Sequence, residues 1–233
     1  MKFTILFFLS FNFLFAQTEF NKLDENGKKQ GLWKGFFKDS QRLRFEGTFK
    51  NGLEVGTFNF YDDTKAAAII ATRTFSDNGS VAENIFYDQK KNIVSKGKTI
   101  NRENEGEWRY YHKNSTDIQT IENYKNGQLS GVRKVYYLGN IIAEEAFYLE
   151  GKRNGLLKIY TIKGVVMEES NFKNDVYEGL AIFRLPTGEI HTQGNYKNGE
   201  RNGLWQIYKN GVLVKTEKYP KQRKFAKVKE HRK

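Results

Sequence analysis

Cysteine is absent from this 233-residue chain, proline occurs twice and histidine three times. Without cysteine there is no disulfide, no thiolate metal centre, no iron–sulfur cluster and no lipid-modified cysteine. Three scattered histidines argue against a dedicated zinc site, and no cofactor is expected. Hydrophobic residues make up only 38%, yet there are 19 Phe, 13 Tyr and 21 Gly. Few aliphatics with many rings and glycines point to many short strands and turns rather than one thick core. The same rings exclude a disordered chain, which is poor in aromatics.

Long apolar runs are also scarce, with one exception. Phe3 to Phe15 is apolar apart from Thr4, Ser10 and Asn12; Met1 and Lys2 precede it, and Ala16 and Gln17 follow. This is the pattern of a secretory signal peptide over residues 1–16, cleaved after Ala16. A helix crossing a bilayer needs about 20 apolar residues, so the run is short for an anchor. A retained anchor or a buried first strand are the alternatives. The expectation is an exported protein, periplasmic or secreted, without a transmembrane segment after cleavage.

What is abundant is repetition, the feature to seek before any local structure. Phe49-Lys-Asn-Gly52, Tyr124-Lys-Asn-Gly127, Tyr148-Leu-Glu-Gly151, Phe172-Lys-Asn-Asp175 and Tyr196-Lys-Asn-Gly199 recur along the chain. A second glycine follows each: Gly56, Gly131, Gly155, Gly179 and Gly203. With Gly31 and Gly106, and Ala82 standing in for a missing glycine, the spacing of about 24 residues defines eight units over residues 17–219.

Two positions beyond the second glycine lie Trp33, Phe58, Trp108, Arg133, Leu157, Ala181 and Trp205; four beyond lie Phe60, Phe86, Tyr110, Val135, Ile159, Phe183 and Ile207. Period-two spacing is the mark of a strand with one buried face. A further turn glycine, such as Gly164 or Gly211, precedes a second strand. Each unit therefore reads strand, turn, strand, turn. Asn-Gly and Lys-Gly suit tight hairpins, which need positive φ. Connections this short make neighbours antiparallel. The expected fold is all-β: an elongated single-layer antiparallel β-meander, or solenoid, of about eight 24-residue hairpin repeats. One hairpin alone is marginal, so stacked rings must hold the units together. A closed membrane barrel is the alternative. It needs an apolar outer band, whereas Lys158, Gln206, Glu168 and Lys215 are assigned to the alternate face.

The string Tyr-Lys-Asn-Gly-x-x-x-Gly-x-Trp-x-x-Tyr with a trailing turn glycine resembles MORN-type repeats, closest in their bacterial YwqK-type form. Tyr124–Gly139, Phe172–Gly188 and Tyr196–Gly211 carry the resemblance best. It implies a β-hairpin array and, from the label of that family, an antitoxin-like or immunity role. Unit three departs at Ala82 and unit seven at Asp175.

Signatures of chemistry are scarce. There is no phosphate loop, no helical metal motif and no Gly-x-Ser-x-Gly elbow. The recurrent Gly-x-x-x-Gly, as at Gly52–Gly56, reads as turn geometry. His112 and His191 lack a spaced nucleophile and read as surface residues. Glu144-Glu145 and Glu168-Glu169 could form a cation-binding ladder, but cross-strand pairing with nearby lysines is the preferred reading, and no metal site is assigned. Candidate binding residues are Trp33, Trp108, Trp205, Tyr111, Tyr136, Tyr160 and Tyr208, which could stack on a glycan or serve as stacking core. Lys221, Arg223, Lys224, Lys227, Lys229, Arg232 and Lys233 make residues 220–233 a basic tail. It could contact anionic lipid, an acidic partner or nucleic acid, or be merely solvated; export disfavours nucleic acid.

The expected function is that of a non-enzymatic exported scaffold with a protein partner. The alternative is an envelope-binding module holding glycan or anionic lipid through the rings and the tail. An enzymatic reading would need a carboxylate pair on the sheet.

Overall fold

The computed structural model describes residues 19–76 and 79–221. The signal-peptide segment and the tail beyond Lys221, with Arg223, Lys224, Lys227, Lys229, Arg232 and Lys233, lie outside the described residues.

The described residues form 18 strands and no α-helix. A two-residue strand β1 (Lys22–Leu23) precedes β2 (Lys29–Phe36) and β3 (Leu43–Lys50). Next come β4 (Leu53–Tyr61) with β5 (Ile69–Ser76), β6 (Val81–Tyr87) with β7 (Ile93–Ile100), and β8 (Glu103–Tyr111) with β9 (Ile118–Lys125). The first strand of unit five is split into β10 (Gln128–Leu129) and β11 (Gly131–Tyr136), followed by β12 (Ile142–Leu149). Then follow β13 (Lys152–Tyr160) with β14 (Val166–Lys173), β15 (Val176–Arg184) with β16 (Ile190–Lys197), and β17 (Glu200–Lys209) with β18 (Val212–Tyr219). Every ladder is antiparallel and joins chain neighbours, with β9 reaching both β10 and β11. The result is the expected open, single-layer meander of eight hairpins.

The turns explain why the Asn-Gly strings recur. Asn51-Gly52, Asn126-Gly127, Asn198-Gly199 and Asn210-Gly211 all have positive φ at both residues. That is the two-residue hairpin geometry whose twist matches the strands. Asn101-Arg102 and Asn174-Asp175 take the same conformation without a glycine. Turns also clip to one another. The amides of Gly52, Gly127, Gly151 and Gly199 donate to the carbonyls of Lys29, Asn104, Leu129 and Tyr177 in the preceding unit. Asn51, Asn126 and Asn198 donate a backbone N–H to the side chains of Gln30, Glu105 and Glu178.

The second glycine of each Gly-x-x-x-Gly is not a turn residue. Gly56, Gly106, Gly155, Gly179 and Gly203 lie inside first strands with positive φ. The ladders entering those strands are interrupted, at Glu46/Thr48, Gly97/Lys98, Ala146/Tyr148, Ser170/Phe172 and Gln193/Asn195. A β-bulge bends a strand and sharpens its twist. Ala82 cannot take that conformation cheaply, and the β5–β6 ladder is unbroken.

The core is a single file of side chains on one face. Phe58, Asn84, Trp108, Leu157, Ala181 and Trp205 are buried at the same position of successive units. Except at Asn84, which stands opposite Arg73, their size is matched eleven residues upstream, on the neighbouring second strand. Phe58, Trp108 and Trp205 lie over Gly47, Gly97 and Gly194, where an added Cβ would overlap each ring. Where the upstream residue is Ala146 or Ser170, the partner shrinks to Leu157 or Ala181. A one-layer sheet buries these groups because neighbouring side chains roof them. The Arg201 guanidinium lies 4.1 Å from the Trp205 ring centre, and Tyr196 and Tyr219 meet that indole edge-on.

Two of the four residues assigned to the polar face belong to this ring face instead. Glu168 accepts from the Tyr177 hydroxyl at 3.0 Å beside the Phe172–Tyr177 pair, and Lys215 pairs with Glu217, which stands opposite Trp205. Lys158 and Gln206 do lie on the other face. Ser170 and Glu217 face the rings, so the residues two before them do too.

The two edges differ. At the N-terminal edge the Asn21 carboxamide imitates a strand, taking the Lys34 N–H at 2.7 Å and donating to the Lys34 carbonyl at 3.0 Å. Its own N–H donates to Leu32 O, and the Trp33 indole donates to Lys22 O. At the other end Pro220 follows β18 where Lys197 follows Tyr196 in the preceding unit. Proline has no N–H to continue a ladder.

Candidate functional site

The expected binding residues divide between the two faces. Trp108 and Trp205 are buried in the core file, their indole N–H groups donating to Lys98 O and Asn195 O. Trp33 is half-buried on the same face, with Lys29 Nζ 4.6 Å from its ring centre. Tyr111, Tyr136, Tyr160 and Tyr208 are half-buried on the opposite face. The Tyr160 hydroxyl donates to Glu145 at 2.8 Å, and the Tyr208 hydroxyl donates to Gln206 at 3.0 Å while accepting from Gln193. No single glycan platform can contain both sets, because the sheet lies between them. Of the basic tail, Lys221 alone is described; it is exposed and sits 3.6 Å from Glu217.

Three of the paired glutamates are tied into ion pairs, and the fourth, Glu168, accepts from the hydroxyls of Ser170 and Tyr177. On the ring face Arg133 bridges Glu122 and Glu144, each at 3.0 Å, in the file position that rings fill elsewhere. On the opposite face Lys134 meets Glu145 at 3.3 Å, Lys158 meets Glu169 at 3.7 Å, and Arg184 meets Glu169 at 2.6 Å. Among the described residues no cluster of His, Cys, Asp and Glu could hold a metal ion.

Several phenols are held protonated by their surroundings. Burial, then the hydrogen bond to Glu46, pushes Tyr61 up to about 12. Burial and Glu145 push Tyr160 up to about 12, and burial and Glu168 do the same for Tyr177. Burial and Glu122 push Tyr124 up as well. These hydroxyls act as fixed donors that lock carboxylates. His112 turns its Nε2 toward the Tyr136 carbonyl at 3.0 Å, and His191 is exposed.

One surface was missed by reasoning from aromatics. The residue immediately after each second glycine points away from the core. In units five to eight it is Val132, Leu156, Leu180 and Leu204, joined by Phe147 on β12, all 39% to 62% exposed. Register aligns the row across the sheet, since Val132 stands opposite Phe147, Leu156 opposite Asn171, Leu180 opposite Asn195 and Leu204 opposite Lys218. Units two to four carry Thr57, Glu83 and Glu107 there. The signal was present in the sequence as a hydrophobe adjoining each buried position, on the wrong side for the core. Contiguous exposed apolar patches mark interaction sites far more often than isolated exposed leucines do.

No family model and no curated protein matches the chain. Among the described residues no helix is long and apolar enough to cross a membrane. The fold that these residues do form is an all-β open sheet of hairpin repeats.

Proposed function

We propose that this chain is a non-enzymatic, exported binding scaffold that recognises a protein partner. The observation that carries this reading is the apolar row Val132, Phe147, Leu156, Leu180 and Leu204, exposed on one face of the C-terminal half. Solenoid-like sheets offer extended surfaces of this kind. Lys134, Lys158 and Arg184 beside the row are paired with glutamates within the sheet, which leaves apolar contact as the main source of affinity away from the exposed Lys218 at its end. The likeness of the units to MORN-type repeats of the YwqK kind suggests a specific form: an immunity-like scaffold that sequesters an exported toxin.

The test places a photo-crosslinking side chain at Leu180 or at Glu107 in intact cells. The reading expects a saturable protein adduct from position 180 only, abolished when Leu156 and Leu204 are changed to Ser. Equal adducts at both positions, or none at position 180, would defeat it.

A further inference from the structure

Resting on the scaffold reading, we infer that the apolar row binds an extended, polyproline-II-like segment of the partner with an apolar side chain at every third residue. The pitch of the row selects the ligand. Val132, Leu156, Leu180 and Leu204 occupy the same position on β11, β13, β15 and β17, so consecutive members are two strands apart. Neighbouring strands lie about 4.8 Å apart, giving a step of about 9.6 Å and a row of about 29 Å.

A polyproline-II helix rises about 3.1 Å per residue with three residues per turn, so one face repeats every ~9.3 Å. Over three steps its drift from the row is about 1 Å. An α-helix presenting one residue per heptad repeats every ~10.5 Å and drifts by about 3 Å over the same distance. A β-strand laid across the row repeats every ~6.7 Å and misses the second site. Only the three-residue repeat stays in step over all four sites.

The chemistry between the sites fits the same ligand. Asn171 and Asn195 stand between the three leucines, while Phe147 stands between Val132 and Leu156, so the row is apolar at its first step and alternates apolar and neutral polar positions beyond it. The Asn171 amide is already tied to the Leu180 carbonyl at 3.1 Å, which fixes its orientation. Lys134, Lys158 and Arg184 beside the row are paired with Glu145 and Glu169. Along these pairs a bound segment needs no charge; Lys218, opposite Leu204, is exposed at the end of the row. A polyproline-II segment is already extended when free, so binding it loses little conformational entropy.

The test uses the full chain and a labelled synthetic peptide of four Pro-Pro-Leu triplets, followed by fluorescence polarisation. One control has the same composition with the four leucines clustered at one end. Another is an amphipathic helix with leucines at heptad spacing. Saturable binding of the triplet peptide is expected, weaker by about tenfold or more for the clustered control and for the Leu156→Ser/Leu180→Ser chain. Circular dichroism should show that this double variant is folded, because both side chains are exposed.

No binding of the triplet peptide, equal binding of the clustered control, tighter binding of the helix, or indifference to the double substitution each overturns the inference. So does a dimer in sedimentation that the double variant dissociates, which assigns the row to a second copy. If the peptide fails while the position-180 adduct persists in cells, the scaffold reading stands and only the polyproline-II assignment falls.

Discussion

Gly194→Ala is a one-carbon change with a large expected effect. A methyl at that position would overlap the Trp205 indole, which is 0% exposed and held by its N–H on Asn195 and by Arg201 above it. The ring cannot step aside without breaking those contacts. Overpacking of this kind costs about 1–3 kcal/mol. Alanine recovers about 0.4–1 kcal/mol by restricting the unfolded chain, leaving a net loss of about 1–2 kcal/mol. Trp205→Leu alone leaves a cavity and should cost about 2–4 kcal/mol. The double variant Gly194→Ala/Trp205→Leu reproduces the natural Ala146–Leu157 pairing. Its loss should be smaller than the sum of the single losses by at least about 1 kcal/mol. Urea unfolding followed by circular dichroism, with amide exchange at β16 and β17 to locate the effect, measures all three. Additive losses would falsify volume matching along the file, as would a Gly194→Ala chain as stable as the parent.

Three further outcomes follow from other parts of the sheet. Arg102 holds a left-handed conformation at φ 72 with a largely exposed side chain, so Arg102→Gly should raise stability by about 0.5–1 kcal/mol in urea unfolding; a lower midpoint would refute the strain argument. Asn21→Ala removes the cap of the N-terminal edge and should cost about 1 kcal/mol, seen as faster amide exchange at Lys34 with β17 and β18 unaffected. Tyr61 and Tyr160, pushed up to about 12, keep protons that an unfolded chain releases near pH 10. Their stabilisation is therefore complete below pH 10 and lost as pH rises from 10 to 12; phenolate absorbance should show late-titrating groups, fewer after Tyr61→Phe, and a urea midpoint flat across that window would contradict the assignment.

The repeat was legible because its punctuation is chemical. Asn-Gly at 51–52, 126–127 and 198–199 can serve few conformations besides a tight hairpin, and the period-two side chains of Trp205 and Ile207 fix which face is inside. The count of eight units and the antiparallel meander followed from those residues. What the glycines do inside the strand was less legible. Gly56 and Gly203 looked like parts of turns, yet their left-handed φ kinks the first strand, and the unbroken ladder at Ala82 shows what happens without it. Glu168 and Lys215 were placed on the outer face because charge usually lies there; a hydroxyl from Tyr177 and a carboxylate from Glu217 let them share the ring face. Trp108 and Tyr160 looked equivalent as candidate binders because composition does not say on which side of a sheet a ring lies. Leu180 drew no attention for the opposite reason, since a leucine in a strand is ordinarily core.

Among the described residues each hairpin pairs with the hairpins before and after it, and the backbone bonds that clip Asn-Gly turns to the preceding unit run in one direction along the chain. Cutting out one whole unit, or adding one, would move the distal modules by a fixed stride, provided that the new junction keeps a size-matched pair such as Gly194 with Trp205 or Ala146 with Leu157. Such a molecule can be lengthened like a ruler, and the number of docking positions it offers becomes a matter of gene duplication rather than of redesign.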